Sequence, residues 1–358
     1  MKTLDRYLAG LFVKNLLIAI LSLAGIFLFQ ALMGDMISNQ MTTEQALVYH
    51  FLALPQTVVQ MTPPAVLLAT VLTLASLNRT NELIASYSIG VGAMRIMSLF
   101  LAIVVIISSG ILILEDRIMP LTYKKRMIYF QREIKKRTDF FFDIKQDKIW
   151  YRAKNIIYNL QLFDRRSNTI RGMTVYTFDN QFNLKQVVEA ERAEYGPKGW
   201  RLKKGTLTQF TADDPFPITS PFAEKDLVIT ETPKDFQEIE KEVESLRFKE
   251  LYRYIQRMKS AGADTKAYEV KFHAKINLSF IPLVMCVLAI PFSLRNRREG
   301  GLAKDLGVCL LVTFFYWLFY SIGLSLGTNG ALPPWLAAWL PSLIFAALAA
   351  ALISRQRS

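Results

Sequence analysis

Two regions of the sequence hold residue types that could do chemistry. One is a short polar link, Asn78 to Gly92, in which Arg79 and Glu82 precede Leu83, Ile84 and Tyr87. Thr80 is placed to cap a short helix there, and Glu82 falls in its first turn, where a carboxylate suits the helix dipole. Gly90 can end the helix. Leu83, Ile84 and Tyr87 recur at helical spacing, so the helix would be amphipathic. Such a helix either lies on a bilayer surface or seats in a groove of a cytoplasmic motor subunit, and the periodicity fits both. The other region is a set of polar groups at the ends of apolar stretches: Glu115 and Asp116, then Lys271, His273 and Lys275, and also Gln30 with Asp35. Ionisable groups within a membrane flag function. At an interface, however, a charged head reaches water cheaply, so anchoring is the favoured reading. Pro63-Pro64, inside an apolar stretch, would kink a helix or free backbone carbonyls into a cavity.

Enzyme chemistry finds little support. No G-x-x-x-x-G-K-[ST] run is present to cradle a phosphate, so the chain is not its own ATPase. His50 and His273 stand far apart, without Cys or acidic partners at ligand spacing. No G-x-S-x-G elbow occurs. Cys286 and Cys309 both lie in apolar segments and read as small buried hydrophobes.

The elements that must position these groups follow from hydropathy. Of the 358 residues, 52% are hydrophobic, and charge-free stretches alternate with one dense charged block. The charge-free stretches run 15–34, 45–78, 96–114 and 276–294, and a last one, 306–354, is broken by Gly327-Thr328-Asn329-Gly330 and Pro333-Pro334. A span needs roughly 20 residues, so six transmembrane helices are expected. The opening stretch has full-span length and no convincing cleavage site, unlike a secretory signal. The net charge of +13 does not point to nucleic acid, because basic residues gather at span ends as topology requires. With the N-terminus in the cytoplasm, Lys2, Arg6, Lys14, Arg79, Arg95, Arg295, Arg297, Arg298, Lys304, Arg355 and Arg357 all fall inside. The short outside loops near 35–50 and 327–334 then hold no Lys or Arg, and both termini are cytoplasmic.

The charged block, translocated under this topology, reads as three parts. Residues 117–137 continue the third span as a basic helix. Residues 140–232 hold β-rich runs at 149–152, 155–163, 172–178 and 186–195, which suggest a sandwich or jelly-roll-like sheet. Residues 245–262 form an amphipathic helix, with Ser245 as cap, Leu246, Leu251, Tyr254 and Met258 near one face, and Gly262 as stop. The expected fold is thus an α-helical membrane protein with six transmembrane helices and an inserted all-β domain. Its divisions are 1–116 with the link helix at about 80–91, 117–267, and 268–358.

Taken in order, several motifs resemble one family. They are Leu4-Asp5-Arg6-Tyr7-Leu8, Leu54-Pro55, Pro63-Pro64, Leu77-Asn78-Arg79-Thr80-Asn81-Glu82-Leu83 with Gly90, Tyr252 to Gly262, Leu332-Pro333-Pro334, and Ala338-Trp339-Leu340-Pro341. Together with the three-plus-domain-plus-three topology they are similar to the lipopolysaccharide-export permeases LptF and LptG, across essentially the whole chain and leaning towards LptG. The resemblance implies a half-transporter in the inner membrane, with its inserted domain in the periplasm. It would pair with an LptF-type permease, sit on two copies of the ATPase LptB, and deliver lipopolysaccharide along LptC and LptA. This chain would hold no cofactor, ATP and Mg residing in the ATPase.

The resemblance further implies that Arg79, Glu82, Leu83, Ile84, Tyr87 and Gly90 form a coupling helix, with Glu82 at the ATPase groove. Spans one, two and five would line a lipid cavity, with Phe27, Gln30, Met33, Pro63, Phe315 and Tyr320 as candidates, and the β-domain would receive acyl chains. One departure matters. Some LptG proteins carry lysines near the outer end of span one, whereas Phe27 to Asp35 has none here. Lys271 and Lys275 are the candidate phosphate contacts in their place. The rival reading is a membrane-anchored scaffold or sensor whose outer domain binds a partner without transport.

Overall fold

The computed structural model describes residues 2–136, 141–145, 148–153, 155–164, 169–179, 181–196, 199–211, 214–227, 245–260, 264–293 and 302–357. The chain divides into two compact units, Met1–Met119 with Lys266–Ser358, and Pro120–Thr265.

The first unit is helical. Its elements are α1 (Lys2–Ser38), α2 (Thr43–Arg79), α3 (Glu82–Ser88), α4 (Ala93–Ile113), α7 (Lys266–Ser293), α8 (Leu302–Thr328) and α9 (Pro334–Arg357). Among the described residues six helices are long and apolar enough to cross a membrane. The chain is therefore a multi-pass membrane protein, as the hydropathy predicts. α2 runs unbroken through Pro55, Pro63 and Pro64. It begins at a full capping box, in which Thr42 accepts from Gln45 N–H and the Gln45 side chain accepts from Thr42 N–H.

α2 and α7 form the centre. Leu8, Phe12 and Leu16 of α1 pack with Leu74 and Leu77 of α2, Ile96 and Phe100 of α4, and Cys286 and Ile290 of α7. On the other side, Leu67 and Val71 of α2 and Met285 and Leu288 of α7 meet Tyr316 of α8 and Phe345 of α9. Lipid does not push helices together, so packing in a membrane leans on polar bonds between spans. Asn15 donates to Thr73 at 2.9 Å. Asn277 donates to the Ala338 carbonyl at 2.9 Å, Ser342 donates to Asn277 at 2.9 Å, and the Tyr316 hydroxyl lies 2.8 Å from Ser342. α1 and α8 are peripheral and leave apolar faces open, with Leu21 at 72% and Phe314 at 61% exposure.

Helical structure continues past α4. A π-helical turn, Leu114–Ile118, leads into α5 (Met119–Tyr129), and a second follows at Phe130–Ile134. The basic helix expected at 117–137 is thus helical to Ile134.

The second unit holds a seven-stranded antiparallel sheet in sequence order. The strands are β1 (Phe141–Lys145), β2 (Lys148–Ala153), β3 (Ile156–Asp164), β4 (Thr169–Phe178), β5 (Leu184–Gly196), β6 (Gly199–Thr211) and β7 (Asp214–Leu227). The inserted all-β domain is as expected, and its jelly-roll-like character takes the form of one open sheet. A crease crosses it. Pairing lapses on one row between Leu160↔Met173 and Leu162↔Arg171, Met173↔Ala190 and Arg171↔Arg192, and Ala190↔Gly205 and Arg192↔Lys203. Gly172 and Lys204 on that row have φ of 62° and 50°. Side-chain parity flips there, as at a line of bulges. Ile170, Ala193 and Leu202 lie on one side of the row, Met173, Val175, Ala190 and Val188 on the other, and all are buried in one core. The crease bends the sheet without turning its apolar face outward. Gly205 lies in this face, where a Cβ would collide with the Glu189 carbonyl and the Phe222 ring. Met127 of α5 packs against the same core.

α6 (Phe248–Ser260) completes this unit. Leu246, Leu251, Tyr254 and Met258 are buried as the spacing predicts. Ser245 is not the cap. Arg247 N–H donates to Glu250 at 3.0 Å and its carbonyl accepts from Leu251 N–H, so the cap sits at Arg247. Gly262 lies outside the described residues.

Candidate functional site

The link between α2 and α4 is built by two backbone reversals. Asn81 adopts a left-handed conformation at φ 57°, which Asn tolerates better than most residues, and so separates α2 from α3. The cap expected at Thr80 is therefore displaced: Thr80 closes α2, its hydroxyl donating to the Ser76 and Leu77 carbonyls at 3.1 and 3.3 Å. At the far end, Gly90 N–H donates to Tyr87 and Val91 N–H to Ser86, both at 3.0 Å, with Gly90 at φ 82°. This is a Schellman closure, and its C-terminal apolar residue, Val91, is buried.

α3 has an inner and an outer side. Leu83 at 6% exposure joins the core of α1, α2 and α4. Ile84 at 57%, Tyr87 at 40% and Ile89 at 72% point away, beside exposed Met94. Leu83 therefore does not share a surface with Ile84 and Tyr87, as the spacing suggested. Several exposed apolar groups within one short link suit an interaction site. Partial burial raises the Tyr87 phenol above its usual range. Glu82 is half-buried at the start of the helix and Arg79 is exposed just before it.

The opening turns of α1 hold the link in place. The Tyr7 hydroxyl lies close to the Glu82 carboxylate. Arg95 donates to Asp5 at 3.3 Å. Beneath them Phe12 and Phe100 stack at 4.7 Å, both fully buried. In the sequence, Asp5 and Tyr7 stand out only as part of the opening Leu4–Leu8 motif. The available signal was their position among the polar residues that open span one.

The lipid-facing candidates separate into two groups. Phe27, Gln30, Met33 and Phe315 are exposed on α1 and α8. Pro63 is buried inside α2's packing, and Tyr320 is 8% exposed, its hydroxyl 3.5 Å from the Ala274 carbonyl. These two are core residues of the helical unit and do not form its outer wall. Lys275 lies 4.0 Å from Glu115, whose side chain is 5% exposed. Its charge is answered within the protein. Lys271 is half-buried on the preceding turn. Near the α1–α2 turn, His50 lies 3.2 Å from Asp35. Among the described residues no group of three or more His, Cys, Asp or Glu could hold a metal ion.

Comparison with known proteins places these features in context. The family model for "Lipopolysaccharide export system permease LptF/LptG" matches residues 6–355. The chain is 24% identical over 370 residues to the lipopolysaccharide export system permease protein LptG of Haemophilus influenzae, covering 99% of both chains. It is 22% identical over 366 residues to LptG of Escherichia coli, covering 99% of this chain and 98% of that one. A shorter match, 35% over 91 residues, joins it to Escherichia coli LptF, covering 25% of this chain and 24% of that one.

Proposed function

The chain belongs to the lipopolysaccharide export permease family LptF/LptG, and from that premise we propose that it is one permease half of an ATP-driven exporter of lipopolysaccharide. The observation that carries the mechanism is the outer side of α3: Ile84, Tyr87 and Ile89 are exposed on a short helix that Glu82 opens and whose inner side is buried. A membrane-surface helix would offer cations to anionic headgroups. This helix offers Glu82, which suits a basic rim on a soluble protein.

In this reading α3 docks in a groove of an LptB-type ATPase, which holds ATP and Mg. The second permease, of LptF type, closes the exposed faces of α1 and α8 into a cavity. Acyl chains need an apolar wall, and Phe27, Met33 and Phe315 with their neighbours supply one. The chain is an inner-membrane protein with both termini in the cytoplasm and the creased sheet in the periplasm. Extracted lipid passes into the apolar face of that sheet and onward through an LptC–LptA bridge. The outer end of span one brings no lysine and Lys275 is held by Glu115, so phosphate contacts fall to Lys271 and to the second permease.

Co-purification with Ile84→Asp and Glu82→Lys variants tests the docking. The reading expects both to lose the ATPase while the second permease stays bound. An ATPase retained at wild-type stoichiometry by both variants would leave the docking assignment without support.

A further inference from the structure

We infer that Asp5 and Tyr7 are positioning residues that fasten the link to span one, so that displacement of α3 reaches α1 directly and not only through α2 and α4. The inference rests on α3 being the helix that docks the ATPase.

Chain connectivity ties α3 to α2 and α4 alone. The third attachment is non-covalent and comes from two residues of one helix turn. Positions two apart on a helix diverge around its axis. Asp5 and Tyr7 therefore reach different places: Asp5 pairs with Arg95 just beyond the end of the link at 3.3 Å, and Tyr7 lies close to Glu82 at its start. Between them Leu8 and Phe12 enter the core that also holds Leu83, Val91 and Ile96. α1 thus grips both ends of the link around an apolar pivot.

The exposure of these contacts says what they are for. The Arg95 and Asp5 side chains are 42% and 36% exposed, and Tyr7 is 49% exposed. Polar pairs this open add little to stability. Their effect is on registration, since they fix where one helix sits against another. α1 is also the span with the most open lipid-facing side, including Leu21, Ile26 and Phe29. A stroke delivered to α1 would move the wall that lipid touches.

The test uses the complete complex of both permeases and the ATPase in lipid nanodiscs containing lipopolysaccharide, and reads lipid released per ATP hydrolysed. Tyr7→Phe and Asp5→Arg are expected to keep the ATPase bound and hydrolysing while this ratio falls about fivefold or more, the low end of a coupling between two sites. Combining Asp5→Arg with Arg95→Asp is expected to restore it. A ratio unchanged in both single variants overturns the inference. So does a parallel loss of hydrolysis and release that the charge swap fails to rescue, because that marks a merely structural role. Ile84→Asp and Glu82→Lys serve as the control: if both leave the ATPase bound, the docking reading has failed, whatever the α1 variants do.

Discussion

The carboxylate of Glu115 lies 4.0 Å from the ammonium of Lys275, and both side chains are largely buried, at 5% and 13% exposure. Glu115 stands on the π-helical turn that ends α4's regular winding, and Lys275 lies on α7. One pair thus joins the last turn before the insert to the first span after it. Removing one member strands the other charge, at about 3–5 kcal/mol. Lys275→Ala should therefore lower the thermal stability of the detergent-solubilised protein sharply, and Lys275→Met with Glu115→Leu should recover much of the loss. A Lys275→Ala protein of unchanged stability but weakened lipid binding would return Lys275 to the phosphate-contact role.

Gly205 should tolerate no side chain. A Cβ there meets the Glu189 carbonyl and the Phe222 ring from neighbouring strands. Overpacking of this kind costs about 1–3 kcal/mol. Gly205→Ala is expected to destabilise the sheet, read as faster amide exchange on β5 and β6, with the helical unit unaffected. Equal exchange in both proteins would contradict the packing described.

Much of this architecture is legible in the sequence, and the misses have physical causes. Spans and insert follow from where charge is absent. β4 and β5 follow from runs of Val, Tyr and Thr. β6 does not stand out, because Lys203-Lys204 interrupts its alternation at the crease, where parity flips. β7 is masked by Pro215, Pro217 and Pro221, which usually exclude a strand but are tolerated on the sheet edge that β7 forms. The link's composition revealed an amphipathic helix but not which side faces out, because that depends on the core of α1 and α4. Pro63 and Tyr320 looked fit for a cavity wall, and only packing puts them inside.

The β4–β5 turn should respond to acid. Asp179 accepts from the Asn183 backbone N–H at 2.8 Å and the Gln181 N–H at 2.9 Å. The Asn183 backbone bond foremost, with bonds from the Asn183 side chain and Gln181, holds its carboxyl below the usual range. A depressed folded-state pKa means the contribution is complete above the unfolded value. It is lost as pH falls through the folded one. The Asn183 amide resonance should therefore titrate with a midpoint below about pH 3.9, the usual aspartate value. A midpoint at or above that value would show that these bonds do not favour the charged form.

Gly90 closes the link in a left-handed conformation that strains ordinary residues by about 1–2 kcal/mol. Nothing lies near its missing Cβ, so only the backbone resists substitution. Gly90→Asn, which tolerates this region, is expected to keep more lipid release per ATP than Gly90→Val. If both variants behave as wild type, the Schellman closure is not needed to hold α3.

The proposed export path takes lipopolysaccharide from the membrane wall of this chain to its β-sheet as ATP is hydrolysed. Photo-crosslinking from Phe27 on α1 and from Val175 on β4, in the assembled complex, tests it most directly. A lipopolysaccharide adduct is expected at Phe27 without ATP, and an adduct at Val175 that grows only when ATP is hydrolysed. Adducts to protein alone at both positions, or a Val175 adduct indifferent to ATP, would contradict it.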